Sequence, residues 1–228
     1  MNRLQLTQRL HQEAAATGAA PSTTLAQTGS SLRLVNWVDL AYQDIQALNT
    51  EWDFLRTEFS KSMVVGDRTY SLTDLALTDL NAWRITETDE DITIYDDAAA
   101  DETFLLYKPW DVFKSVFMIG TNRTASGRPT FYSIKPDKSI TFNVLPDDAY
   151  TFTGEYFKVA QTMAADASEP LIPTQYQMAI VWRAMMFYGA YTGADEAYAH
   201  GEKEYRRVLS QLELDQLPRQ SFLNGPLI

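Results

Sequence analysis

The residues that could do chemistry in this chain are few and poorly placed for it. There are two histidines, His11 and His200, and no cysteine. Neither histidine stands in a His-x-x-x-His or Cys/His pattern, so an imidazole-based metal or acid–base site lacks its partner residues. An acidic stretch, Glu87, Asp89, Glu90, Asp91, Asp96, Asp97, Asp101 and Glu102, invites a calcium reading. It lacks the glycine and the terminal glutamate of a helix–loop–helix calcium site and reads better as a solvated loop. Paired carboxylates for glycoside hydrolysis are defined by separation in space, which an acidic chain does not reveal in one dimension. No Gly-x-Ser-x-Gly elbow and no phosphate loop occurs. Asn122-Arg123-Thr124 matches a glycosylation acceptor, a triplet that also arises by chance. Lys203, Arg206 and Arg207 gather near the end of the chain. They read as a solvated face offsetting a helix C-terminal dipole, or as a contact for an acidic partner. The expectation is a protein without catalytic residues, metal or cofactor, built for assembly.

The elements around these residues support that expectation. Leu34, Val38, Ala41, Ile45, Leu48, Trp52, Leu55 and Phe59 are spaced alternately by four and three, the interval of a helix packing on other helices. Ser30 or Ser31 is placed to cap it. Trp37, Leu40 and Phe54 lie off this seam and predict a second contact face. The seam can outrun the helix, since Phe59 to Val65 also reads as strand. Ahead of it, residues 3 to 16 predict a short helix ended by Gly18, with Ala14-Ala15-Ala16 as strong helix formers.

From about Lys61 to Val159 the period changes to two. Strands are expected at Asp91 to Tyr95 and Thr103 to Tyr107, interrupted by a helix over Pro109 to Phe117. Thr121 to Pro129 reads as a loop. Thr130 to Lys135 and Ser139 to Val144 flank the turn Pro136-Asp137-Lys138. Pro146-Asp147-Asp148 then leads into Tyr150 to Val159, which predicts a three-stranded meander. Helical periodicity returns after Pro170 and Pro173. Thr174 and Gln177 form a capping-box pattern opening a nearly buried helix to Tyr191. Gly193 ends it and Asp195 is placed to cap a second helix, giving an αα-hairpin. After Pro218, Phe222, Leu223, Leu227 and Ile228 form an apolar tail without periodicity.

The fold class expected is therefore α+β. Residues 1–60 and 170–217 would form a helical bundle, 61–160 an inserted antiparallel β module, and 218–228 an extended C-terminal arm. The net charge of −11, from 30 acidic and 19 basic residues, disfavours a surface that grips phosphate. No run approaches the length needed to cross a bilayer, and Met1 to Ala20 lacks a signal-peptide core. The expectation is a soluble, unsecreted protein.

The order of these parts resembles the head-to-tail connector, or adaptor, proteins of tailed bacteriophages. The likeness lies in Leu34-Val35-Asn36-Trp37-Val38, Asp44-Ile45-Gln46 and Glu51-Trp52-Asp53-Phe54-Leu55. It continues through Gly127-Arg128-Pro129-Thr130-Phe131-Tyr132-Ser133-Ile134, Val144 to Tyr150 and Gly154-Glu155-Tyr156. Pro170 to Pro173 and the tyrosine-rich helices from Tyr176 to Tyr205 complete it. The resemblance implies a structural virion protein with no catalytic residues, assembling in the host cytoplasm. It implies a ring, usually of twelve copies, that sits under the portal protein and joins it to tail proteins while genomic DNA passes through the lumen. It also implies a C-terminal arm that docks on the portal. The arm residues singled out on their chemistry are Arg219, Phe222, Leu223, Leu227 and Ile228. Two other readings are a tail-tube or baseplate protein and a carbohydrate-binding β-domain.

Overall fold

Asn2 opens the first helix, α1 (Arg3–Glu13), with a reciprocal capping box. Its side chain accepts from the Gln5 amide at 2.9 Å, and Gln5 Oε1 accepts from the Asn2 amide at 3.0 Å. The computed structural model describes residues 1–86 and 91–218, so the five arm residues lie outside the described residues. The helix stops at Glu13 rather than at residue 16. Ala15 takes a left-handed φ of 45° and breaks the turn ahead of Gly18.

Helix α2 (Gly29–Ala47) starts one residue before Ser30, with Thr28 at the N-cap and no side-chain cap bond. Leu34, Val38, Ala41 and Ile45 are buried as the seam predicts, but Leu48 is exposed and the helix is already over. Trp52 and Leu55 reach the same core from a short 3-10 turn, Asp53–Leu55. The indole of Trp52 donates to the Ile45 carbonyl at 3.1 Å. That bond gives a carbonyl of the helix end a second donor beside the Leu48 amide, so the seam continues in space after the helix has ended.

Helices α4 (Met178–Thr192) and α5 (Asp195–Gln216) form the predicted hairpin around Gly193, whose φ of 70° closes α4. The capping box at Thr174 does not form. Thr174–Tyr176 is a 3-10 turn, α4 begins at Met178, and the buried Gln177 side chain instead donates to the Ile172 carbonyl at 3.2 Å. Ala194 rather than Asp195 is the N-cap of α5; Asp195 and Glu196 sit in the first turn, where the dipole favours them. Two glycines let the helices approach closely. A Cβ on Gly189 would lie 2.7 Å from the Tyr198 amide nitrogen, and one on Gly201 would lie 3.0 Å from the Trp182 carbonyl.

Polar side chains tie this unit together where its core ends. Arg3 pairs with Asp39 on α2, with Nε 3.0 Å from Oδ1, and donates to Thr24 Oγ1 at 3.1 Å. Asp166 accepts from the Thr23 hydroxyl at 2.6 Å and from both the amide and the hydroxyl of Thr24. These bonds hold its carboxyl below the usual carboxylate range. A lowered folded pKa contributes stability above the unfolded value, lost as pH falls through the carboxylate range. Asp166→Asn is expected to lower the melting temperature at pH 6, with the difference from wild type shrinking below about pH 4. A difference independent of pH in calorimetry would refute this.

Contacts divide the chain into two units: Met1–Leu55 with the described part of Ala160–Ile228, and Arg56–Val159. The second carries β1 (Arg56–Ser62), β2 (Thr69–Tyr70), β3 (Leu80–Trp83), β4 (Ile92–Asp96), β5 (Asp101–Tyr107), α3 (Trp110–Phe117), β6 (Phe131–Ile134), β7 (Ile140–Phe142) and β8 (Thr151–Lys158). The chain is thus a mixed α and β protein, with five α-helices among the described residues. The sheet order is β1-β8-β4-β5-β6-β7-β2, with β3 also on β8. It curls on itself: Tyr70 on β2, at one end of the order, stands 5.2 Å from Phe152 on β8, near the other.

Two sequence expectations are corrected here. The β6–β7 hairpin forms about the Pro136 turn, where Asp137 Oδ1 accepts the Ser139 amide at 3.0 Å. The third strand of the meander does not join it, because β8 pairs with β1, β3 and β4, while β7 takes β2 as its second neighbour. Leu145 and Pro146 are bonded instead to the segments at Ala125 and Gly66, which carry the chain away from the hairpin. Nor is the sheet wholly antiparallel. Leu106 and Tyr107 pair in parallel with Phe131 and Tyr132, and α3 lies within the crossover such a pair requires.

Candidate interaction surfaces

A recess in the helical unit opens between the end of α1, the start of α2 and the end of α4. It encloses about 170 Å³ and is lined by residues including His11, Ser30, Arg33, Trp37, Tyr188 and Tyr191. The Arg33 guanidinium lies 4.3 Å from the centre of the Tyr191 ring, and Trp37 meets the edge of Tyr188 at 6.0 Å. Trp37 therefore supplies the second contact face that its off-seam position predicts. Phe54 stacks on Trp52, while Leu40 stays exposed on α2 with Leu32. Aromatic walls with one cation suit the reception of a side chain.

The chemistry-capable residues of the sequence are scattered over the fold. His11 lines the recess just described, and His200 meets Trp182 edge-on at 5.3 Å. Arg206 pairs with Glu202 and Arg207 with Glu204 along α5 itself. The helix runs on to Gln216 with no basic residue in its last turn, so these arginines do not offset its C-terminal dipole. Of the acidic stretch, Asp91 pairs with Arg84 and Asp101 with Arg128, while Glu87, Asp89 and Glu90 lie outside the described residues. No group of three or more potential metal ligands is found among the described residues. Asn122 donates to the Val116 carbonyl at 2.9 Å from an exposed 3-10 turn, Gly120–Thr124. Tyr150 and Tyr156 are pushed up to about 12, first by burial and then by hydrogen bonds to Asp147 and Asp79. They are buried donors, neutral at physiological pH.

The β unit presents a broader apolar surface. On β5 only Leu105 is buried, and Phe104 and Leu106 on its other face are exposed, Phe104 by 56%. Leu106 is in register with Phe131, on which Phe117 stacks at 5.5 Å. Helix α3 buries Phe113 and turns Val112 and Val116 outward, followed by Ile119, which is 63% exposed. Sequence reading placed this helix but not its exposed valines, because burying one face of a short helix leaves open what covers the other. Several large apolar groups left in solvent on adjoining elements mark a surface for protein contact.

A comparison with protein families decides between these readings. The family model described as SU10 adaptor protein matches residues 1–227. The chain belongs to the SU10 adaptor family. The match spans both units, so the resemblance read from the order of motifs holds for nearly the whole chain. No curated protein matches it. Membership implies a structural adaptor role and points to the head–tail interface of a phage virion. No helix among the described residues of the adaptor is long and apolar enough to cross a membrane.

Proposed function

We propose that this adaptor assembles as a ring beneath the portal, in twelve copies, and joins the capsid to the tail around the DNA channel. The observation that carries this reading is the family match over residues 1–227. In it, the helices from the two chain ends form the ring, and the β-rich residues 61–160 face the tail proteins. Residues 218–228 act as the arm, with Arg219, Phe222, Leu223, Leu227 and Ile228 docking on the portal protein. An arm that orders on docking spends part of its contact energy on lost chain entropy, so its apolar side chains matter more than its length. The exposed apolar groups on β5 and α3 fit contacts with other virion proteins. The net charge of −11 fits a lumen that DNA crosses without sticking, because like charge repels the phosphate backbone.

Sedimentation velocity of the chain, alone and with the portal protein of the same phage, tests the reading. The adaptor is expected to shift quantitatively onto the portal at micromolar concentration, and a chain truncated after Leu217 is expected to fold but not to shift. Normal binding by the truncated chain would overturn the docking role of the arm. No co-sedimentation of the full chain would overturn the adaptor ring itself.

A further inference from the structure

One buried charge in the β unit has no counterion among the described residues. Arg68 is only 8% exposed, its Nη1 is buried without a hydrogen-bond partner, and among the described residues no carboxylate pairs with it. Other arginines with largely covered side chains are all compensated: Arg3 by Asp39, Arg84 by Asp91, Arg128 by Asp101 and Arg183 by Asp44. Arginine does not escape by losing its proton, so a largely covered guanidinium with a buried, unpartnered Nη1 favours an anion beside it.

The surroundings add a second cation rather than an anion. Three segments converge at this point. The Gly66 amide donates to the Pro146 carbonyl at 2.9 Å, and the Phe142 amide to the Arg68 carbonyl at 2.9 Å. The segment after Arg123 joins them through Leu145, whose amide donates to Ala125 at 2.8 Å and whose carbonyl accepts from Gly127 at 3.0 Å. Arg123 is exposed and, among the described residues, has no ion-pair partner either. After burial, its charge is the next cause lowering the pKa of Arg68. Arg68 and Arg123 thus stand on segments that backbone hydrogen bonds join through residues 142–145, and guanidiniums with unused donors bind carboxylate and phosphate through paired N–H groups.

We propose that Arg68 and Arg123 form an oxyanion-binding site, which takes a carboxylate or phosphate group presented by a partner. Arg68 supplies the buried donor and Arg123 the solvent-facing one. The test is thermal unfolding of the full chain in inorganic phosphate, in acetate and in chloride at matched ionic strength. For wild type, the midpoint is expected to rise by about 3 °C at ten times the dissociation constant of the anion. Arg123→Ser removes an exposed residue and is expected to abolish that rise while leaving the midpoint in chloride unchanged. Arg68→Met is expected to abolish it too and to raise the midpoint in chloride, because an uncompensated charge leaves the interior. A rise in phosphate and acetate alike assigns recognition of oxyanions that include side-chain carboxylates. A rise in phosphate alone assigns a phosphate group. Equal midpoints in all three salts, or a rise that survives in Arg123→Ser, would overturn the site.

Discussion

Trp52→Ala is expected to cost about 3–5 kcal/mol in urea unfolding, a large share of the ~5–15 kcal/mol that holds a typical domain. Trp52 is fully buried in the core shared by α1, α2 and α4. Its ring stacks on Phe54 at 5.3 Å, and its Nε1 is spent on the Ile45 carbonyl. Truncation opens a cavity and leaves that carbonyl with only the long 3.4 Å bond from the Leu48 amide. Trp52→Phe separates the two effects, since it keeps much of the apolar volume and loses the hydrogen bond; about 1–3 kcal/mol is expected for it. A cost below about 1 kcal/mol for Trp52→Ala would show that the residue is not the anchor described above.

Gly189→Ala is the second large effect, and its sign is informative. On helix propensity alone, alanine in mid-helix gains about 1 kcal/mol over glycine. Here the new methyl would sit 2.7 Å from the Tyr198 amide nitrogen and 2.9 Å from the Tyr198 Cβ. A backbone atom cannot rotate aside, so α5 must move away from α4 and loosen the packing along both helices. Overpacking of this kind costs about 1–3 kcal/mol, and the clash is expected to win. A variant more stable than wild type in urea would mean that the two helices do not cross as closely as described.

Local signals in the sequence carried as far as single elements and no farther. The Pro136 turn and the Gly193 stop are both where turn chemistry puts them, because each depends on residues within a few positions. Partnering was not legible. β8 alternates as a strand should, yet nothing in Tyr150 to Val159 says that its neighbours are β1, β3 and β4 instead of the adjacent hairpin. Alternation fixes which face is buried and leaves the edge partner open. The seam failed for a related reason. Trp52 and Leu55 keep the helical spacing of Leu34 to Ile45 and reach the same core, but through a 3-10 turn that apolar spacing cannot distinguish from helix. Of the surfaces, Trp37 was visible as an off-seam aromatic. Arg68 was not, because a missing counterion becomes apparent only when every nearby carboxylate has been placed.

The place of β8 in the sheet bears on when the protein can fold. It is the last strand of its unit to be synthesised, and three earlier strands pair with it. At roughly 5–20 residues per second, the ribosome takes on the order of 5–20 s to pass from the end of β1 at residue 62 to residue 151. During that interval β1 and β3 have no partner, and α2, made earlier still and covered only in part by α1, waits for α4. Both units therefore close late, and nascent chains carry unpaired edges and bare apolar faces until then, surfaces of the kind that chaperones hold.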